Sequence, residues 1–249
     1  MVRVIFSDFD ETLLDYHSDK NYFDDYQVSV LKKLRDRDIK FVIVTGRSVN
    51  FFDKFSNILP YVSYIISSNG SYIYDVKEKN CIYSKYIIGK ELLDLNNFID
   101  INKYNIFYNS KGIQYKDSMG IDYNYCEQAI VSFKVNDIDK VLGYIDGLEY
   151  TTYSNICKHS DSCTVDINNY KVSKGNGIRY LCDYLDIDIS NTICFGDSDN
   201  DLSMFKIVGK SIAMDNAIDE IKKSADDFTV SVDDNGVFKY IDKEILGGK

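Results

Sequence analysis

Short runs of β-branched and aromatic residues recur towards both ends of the 249-residue chain, apolar at consecutive positions and not at alternate ones. Residues 2–7, 40–44, 64–67, 192–195 and 211–214 share this character. A strand that is apolar on both faces must be covered on both faces, which is the condition of a strand inside a parallel α/β sheet. Helical spacing fills the gaps. Residues 24–37 carry Val28, Leu31 and Leu34 on one side, and 49–58, 175–185, a stretch from Asp201 and 218–225 read the same way. A strand at 228–232 and a terminal helix close the series. Strands alternating with helices predict right-handed crossovers, hence a doubly wound, Rossmann-like α/β sheet.

The middle of the chain breaks this rhythm. Between residues 81 and 168, apolar and polar residues alternate at 82–83, 106–108, 113–115, 129–133 and 164–167. That is the pattern of half-buried antiparallel strands, and Lys111-Gly112 offers a hairpin turn. Residues 91–103 and 138–145 are amphipathic and predict helices. The simplest organisation is a discontinuous core of residues 1–78 and 172–249, split by an α+β domain at 79–171.

Composition narrows the partners. The chain has 29 Lys+Arg against 39 Asp+Glu, a net charge of −10. Nucleic acid and anionic membrane surfaces are repelled at long range by such a chain, whereas a small phosphorylated ligand feels only its own site. No apolar run approaches the roughly 18 residues of a membrane span. Six cysteines form no CxxC, two histidines cannot build a histidine-rich metal site, and the first residues lack a signal-peptide pattern. A reducing cytoplasm is the expected setting.

Chemistry gathers where strands end. The first strand runs into Asp8-Phe9-Asp10-Glu11-Thr12. With 32 aspartates in the chain, about four Asp-x-Asp triplets arise by chance, so the triplet alone says little. Its place at the carboxyl end of a buried strand, where α/β sheets bind ligands, sets it apart from a solvated acidic turn. A second cluster, Gly196-Asp197-Ser198-Asp199-Asn200-Asp201, also follows a buried strand. Such a run repels itself unless it is solvated or holds a hard cation such as Mg²⁺; for Asp199 a plain helix N-terminus explains the residue as well. Thr45-Gly46-Arg47 after the second strand offers a hydroxyl and backbone N–H groups to an anion, or merely a helix cap. Lys174-Gly175 opens a helix, where a lone lysine is ordinarily a solvated charge. Converging at one sheet edge, these groups would suit phosphoryl transfer.

All four elements, in this order, resemble the motifs of the haloacid dehalogenase superfamily, specifically its Cof-type phosphatases with a large inserted cap of the IIB kind. The Ser68-Asn69-Gly70 turn is similar to Cof relatives as well, and the resemblance spans essentially the whole chain. It implies that Asp8 is the nucleophile forming an aspartyl-phosphate and that Asp10 is the general acid and base. It implies Mg²⁺ held by Asp8, the Asp10 backbone carbonyl and Asp197. Thr45, Gly46 and Lys174 would bind the phosphoryl group. Asn200 would orient that group or Lys174, and Asp201 would hold Lys174 or a metal-bound water. Thr12 would support the loop. The expected substrate is a small phosphorylated metabolite, sugar phosphates foremost, taken by a monomer or weak homodimer. A phosphomutase using the same intermediate, or a weakly active phospho-ligand binding protein, remains an alternative. Glu11 departs from the family, which has Gly there; Gly permits backbone conformations that Glu resists.

Overall fold

The computed structural model describes residues 1–15, 22–116 and 121–247. The chain enters a first sheet with β1 (Val4–Ser7), β2 (Lys40–Val44), β3 (Tyr64–Ser67), β4 (Tyr72–Asp75) and β5 (Asn80–Ser84). It then builds a second sheet from β6 (Asn105–Ser110), β7 (Ile113–Lys116), β8 (Cys126–Lys134), β9 (Thr151–Lys158) and β10 (Ser162–Asn169). Finally it returns to the first with β11 (Thr192–Gly196), β12 (Lys210–Ala213) and β13 (Asp227–Phe228). Among the described residues the first sheet has the order β13-β12-β11-β1-β2-β3-β4-β5, and the second β7-β6-β8-β10-β9.

Pairing is parallel from β13 to β3 and antiparallel at β3–β4 and β4–β5. This is the doubly wound α/β core read from the apolar runs. The sequence boundary at 79 nevertheless placed residues 80–84 in the insert, and they form β5 at the edge of the first sheet. The hairpin closes through Lys79 at φ 54°, a turn whose lysine and glutamate neighbours carry no Gly or Pro signal.

Helices cover both faces of the first sheet: α1 (Asp25–Asp36), then, after α2 (Gly89–Asn102) and α3 (Ile138–Ile145) of the insert, α4 (Lys174–Tyr184), α5 (Leu202–Phe205), α6 (Asp219–Ser224) and α7 (Gly236–Tyr240). Asp24 caps α1 by accepting from the Gln27 backbone N–H, and the Gln27 side chain returns the bond. The stretch 49–58 is not an α-helix as its spacing suggested. It forms a 3₁₀ turn over Val49–Phe55. In that geometry residues three apart eclipse, so Phe52 and Phe55 both face the Phe9 ring, with centroids at 4.9 and 5.2 Å. Burying each ring contributes about 2–3 kcal/mol, more than the hydrogen bonding of one short helix. The strand expected at 228–232 stops at Phe228, because Val232–Asp234 turns back into α7.

The insert is a two-layer unit. Alternate residues of its sheet, among them Ala129, Val131, Val165 and Ile167, pack with Leu92, Leu95, Val141 and Ile145 of α2 and α3. The opposite face of that sheet carries Asn109, Asp166 and Asn168 and hydrogen-bonds to the first domain. Lys111 (φ 52°) and Gly112 (φ 76°) make the β6–β7 hairpin with both central residues left-handed, the two-residue turn that matches strand twist.

Candidate active site

β1 sits between β2, its successor in the chain, and β11, which arrives after the whole insert. Their carboxyl ends therefore form the switch point where open α/β sheets leave a crevice. Ser7 pairs with Phe195, and the Asp8 backbone N–H donates to the Phe195 carbonyl at 3.0 Å. The register thus carries Asp8 and Asp197 off the sheet side by side.

Lys174 stands at the first turn of α4. Its helix can come this close because Gly175 has no side chain: a Cβ there would lie 2.2 Å from the Ser203 carbonyl oxygen. The Lys174 ammonium is buried and donates to Asp8 Oδ1 and to Asp201 Oδ1, both at 2.6 Å. Asp201 is pinned on its other oxygen by the backbone N–H groups of Asp197 (2.9 Å) and Ser198 (3.0 Å). Asp197 accepts from Thr12 Oγ1 at 2.5 Å and from Ser198 Oγ at 2.7 Å. Asp8, Asp197 and Asp201 each bring an oxygen within 4.8 Å of the others.

Three buried carboxylates thus share one ammonium. Burial pushes Asp8 well above the usual carboxylate range; Lys174 pulls it down, and Asp201 and Asp197 push it up again. Burial, and after it the Asp201 charge, lifts Asp197 to about 6, against the hydrogen bonds from Thr12 and Ser198. For Lys174 burial favours the neutral amine, but Asp201 and Asp8 outweigh it, and the net shift is upward. Lys174 is a fixed cation, so ionising all three carboxylates leaves two negative charges over. A divalent hard cation supplies that deficit, and the donors are all oxygen, which fits Mg²⁺.

Asp10 leaves this cluster. Its carboxylate takes two hydrogen bonds from Arg47, Nε at 3.0 Å and a terminal nitrogen at 2.9 Å, while the guanidinium stacks on the Phe51 ring. Among the described residues the Asp10 carboxylate is not part of the acidic cluster. Thr45 is fully buried, its Oγ1 accepting from the Arg47 backbone N–H at 3.1 Å. Its carbonyl accepts from the Asn69 N–H at 2.9 Å.

A family model described as haloacid dehalogenase-like hydrolase matches residues 5–142 and 112–241. The chain belongs to that family. It is a phosphatase of the Cof type. A Buchnera aphidicola (subsp. Baizongia pistaciae) protein named as a phosphatase is 30% identical over 247 residues, covering 90% of each chain. A 5-amino-6-(5-phospho-D-ribitylamino)uracil phosphatase of Bacillus subtilis is 25% identical, covering 98% of this chain and 96% of its own. A haloalkanoate-superfamily phosphatase structure from Bacteroides thetaiotaomicron superposes with a TM-score of 0.80 at 22% identity, covering 98% and 95%.

In this hydrolase, among the described residues, Asn200 makes no hydrogen bond to Lys174; its Nδ2 donates to Asn69 Oδ1 at 3.2 Å. Asp199 is exposed and takes no part. Glu11 does occupy a left-handed position, φ 59°, with its carbonyl accepting from Asn216 Nδ2. Sequence reasoning gave no role to Asn69, named only within the Ser68-Asn69-Gly70 turn, and passed over Asp166. Asn69 links Asn200 to Asp166 of β10, donating to Asp166 Oδ2 at 3.0 Å. Burial lifts Asp166 to about 6, against hydrogen bonds from Asn69 and Asn155. The one available signal was a lone carboxylate between Val165 and Ile167, at a strand position facing away from the apolar layer. Among the described residues no helix is long and apolar enough to cross a membrane.

Proposed function

We propose that this enzyme hydrolyses phosphate monoesters of small metabolites, sugar and polyol phosphates foremost, with Mg²⁺ and through an aspartyl-phosphate on Asp8. The buried ion cluster of Asp8, Lys174 and Asp201 beside Asp197 supports the reading: a divalent cation would balance its excess negative charge, and that cation and Lys174 would then attract the phosphoryl oxygens towards Asp8. The residues that would hold Mg²⁺ are Asp8, Asp197 and the Asp10 carbonyl, and the ion would supply charge neutralisation for the nucleophile and the phosphoryl oxygens.

Asp8 attacks phosphorus, forming an O–P bond as the bond to the leaving alkoxide breaks. Asp10, once its carboxyl turns off Arg47 and takes up a proton, gives that proton to the alkoxide, then takes one from the water that attacks the aspartyl-phosphate, returning Asp8 and inorganic phosphate. Lys174, the Thr45 hydroxyl and the Gly46 N–H bind the phosphoryl oxygens. Asp201 fixes Lys174, and Thr12 fixes Asp197, each by its hydrogen bond. Arg47 orients Asp10 from outside. The insert from α2 to β10 acts as the cap that covers the site and reads the leaving group. The ribityl phosphate ester named for the Bacillus relative supports a polyol leaving group. We place the enzyme in the cytoplasm, as a monomer or weak homodimer.

The test is phosphate release from p-nitrophenyl phosphate and from a panel of sugar and polyol phosphates. Mg²⁺-dependent turnover is expected. No release with any ester, or full release after EDTA treatment, overturns the proposal.

A further inference from the structure

We propose that Asp166 selects the leaving group, accepting hydrogen bonds from the hydroxyls of a neutral polyol and rejecting leaving groups that carry a carboxylate or second phosphate near the ester. The proposal rests on the phosphatase reading above and names its substrate class.

Register places the residue. Across the second sheet Phe107 pairs with Ile130, Ile130 with Asp166, and Asp166 with Asn155. Directly paired residues point to one face, so these four side chains form a single row on the polar side of the insert. The adjacent row is bolted to the first domain. Asn109 Nδ2 donates to Ser68 Oγ at 3.0 Å, and Asn168 Nδ2 donates to the Ser68 carbonyl at 3.1 Å and Ser71 Oγ at 2.8 Å. The row of Asp166 is the next one, and it lies over the phosphate loop. Asp166 Oδ2 sits 3.2 Å from the point where a Cβ on Gly46 would fall.

The chemistry of that row asks for hydroxyls. A carboxylate only accepts, so Asn69 turns its Nδ2 to Asp166 and its Oδ1 to Asn200. Asn200 Oδ1 is thereby left as a buried acceptor without a partner among the described residues. Donors must come from the ligand or from water. Beside these acceptors Phe107 and Ile130 are half-buried yet belong to neither apolar cluster among the described residues. Polar acceptors next to an apolar patch match a molecule with hydroxyl edges and C–H faces.

Charge supplies the rejection. The cations nearest Asp166 are engaged, Arg47 with Asp10 and Lys174 with Asp8 and Asp201. Residues 81–168 contain no Arg. Lys116 shares the row, paired with Phe107, but stands three strands from Asp166, about 14 Å at ordinary strand spacing. An anionic group next to the ester would therefore meet the Asp166 carboxylate while the two nearest cations are already paired with other carboxylates.

The experiment compares kcat/KM for sorbitol 6-phosphate and 2-phosphoglycolate at pH 7.5 in the wild type, Asp166→Asn and Asp166→Glu, with thermal melts of all three. The wild type is expected to favour the neutral ester at least tenfold. Asp166→Asn should narrow that ratio tenfold or more, through a lower KM for 2-phosphoglycolate, and Asp166→Glu should retain it. A wild type that prefers 2-phosphoglycolate overturns the proposal whatever the variants do. So does an unchanged ratio in a folded Asp166→Asn enzyme, or an equal collapse in Asp166→Glu. A wild type inert towards every ester overturns the phosphatase reading, and this proposal with it.

Discussion

Replacing Asp8 by Asn should separate stability from turnover. The Lys174 ammonium lies 2.6 Å from Asp8 Oδ1, and the Asp197 and Asp201 oxygens lie within 4.8 Å. At an effective dielectric of about 20, the attraction is about 6 kcal/mol and each repulsion at least about 3.5 kcal/mol, about 7 together. The pair energies nearly cancel, so the cost of burying the charge stands uncompensated without a metal; burial is also the main cause of the raised Asp8 pKa. An amide oxygen still accepts from Lys174 while carrying no charge. Metal-free Asp8→Asn should therefore be more stable than the wild type by about 1–3 kcal/mol, and Mg²⁺ should raise its Tm less than it raises the wild type's. Turnover should fall by about 10³-fold or more, since an amide is no anionic nucleophile. Thermal melts in EDTA and in Mg²⁺ at pH 7.5, with single-turnover phosphate release, measure both effects. A Tm in EDTA several degrees below wild type would refute the charge argument. Near wild-type turnover would refute the role of Asp8.

Three further outcomes follow from particular residues. EDTA should abolish turnover and Mg²⁺ restore it, while Ca²⁺, with its larger and looser shell, should inhibit by drawing both Asp8 oxygens into coordination; Ca²⁺-supported activity equal to that with Mg²⁺ would refute the geometric point. Glu11→Gly should stabilise the fold by about 0.5–1 kcal/mol in urea titrations, because Glu11 holds φ 59°, where a side chain is strained. Glu127, fully buried with Oε2 unpartnered among the described residues, is lifted by burial to about 8 from the usual 4.5. Its folded pKa exceeds the unfolded one, so the folded state holds the extra proton and stability is lost as pH rises from about 4.5 to 8. The shift bounds that loss at about 5 kcal/mol, about half after relaxation, and Glu127→Gln should flatten this part of the pH–stability curve; parallel curves would count against it.

Much of the core was legible because its signals are local. Apolar runs at 40–44, 64–67 and 192–195 became buried strands, since no half-exposed strand can afford consecutive apolar residues. Lys111-Gly112 was legible for the same reason: a two-residue turn is set by its own backbone preferences. The β4–β5 hairpin was not, since Lys79 carries no turn signal and β5 is an edge strand with little burial to pattern it. Nor was the 3₁₀ turn at Val49–Phe55, whose shape is decided by the Phe9 ring arriving from another strand.

The sequence by itself determined which residue types meet chemistry: aspartates, a threonine and a lysine at strand ends and helix starts, in a fixed order. Tertiary structure decided how they divide the work. Lys174 reads as a surface charge until α4 buries it against Asp8, 166 residues away. Thr12 reads as a loop residue until the β1–β11 register sets it on Asp197, 185 residues away. Asp10 and Asp8 are equivalent in an Asp-x-Asp triplet, and only the fold gives one to Arg47 and the other to Lys174. Asp166 enters the site solely because the polar face of a second sheet closes over the first. The reason is the same throughout: periodicity along a chain records which face is covered, whereas charge pairing depends on what covers it, and that is fixed by strand register and helix approach.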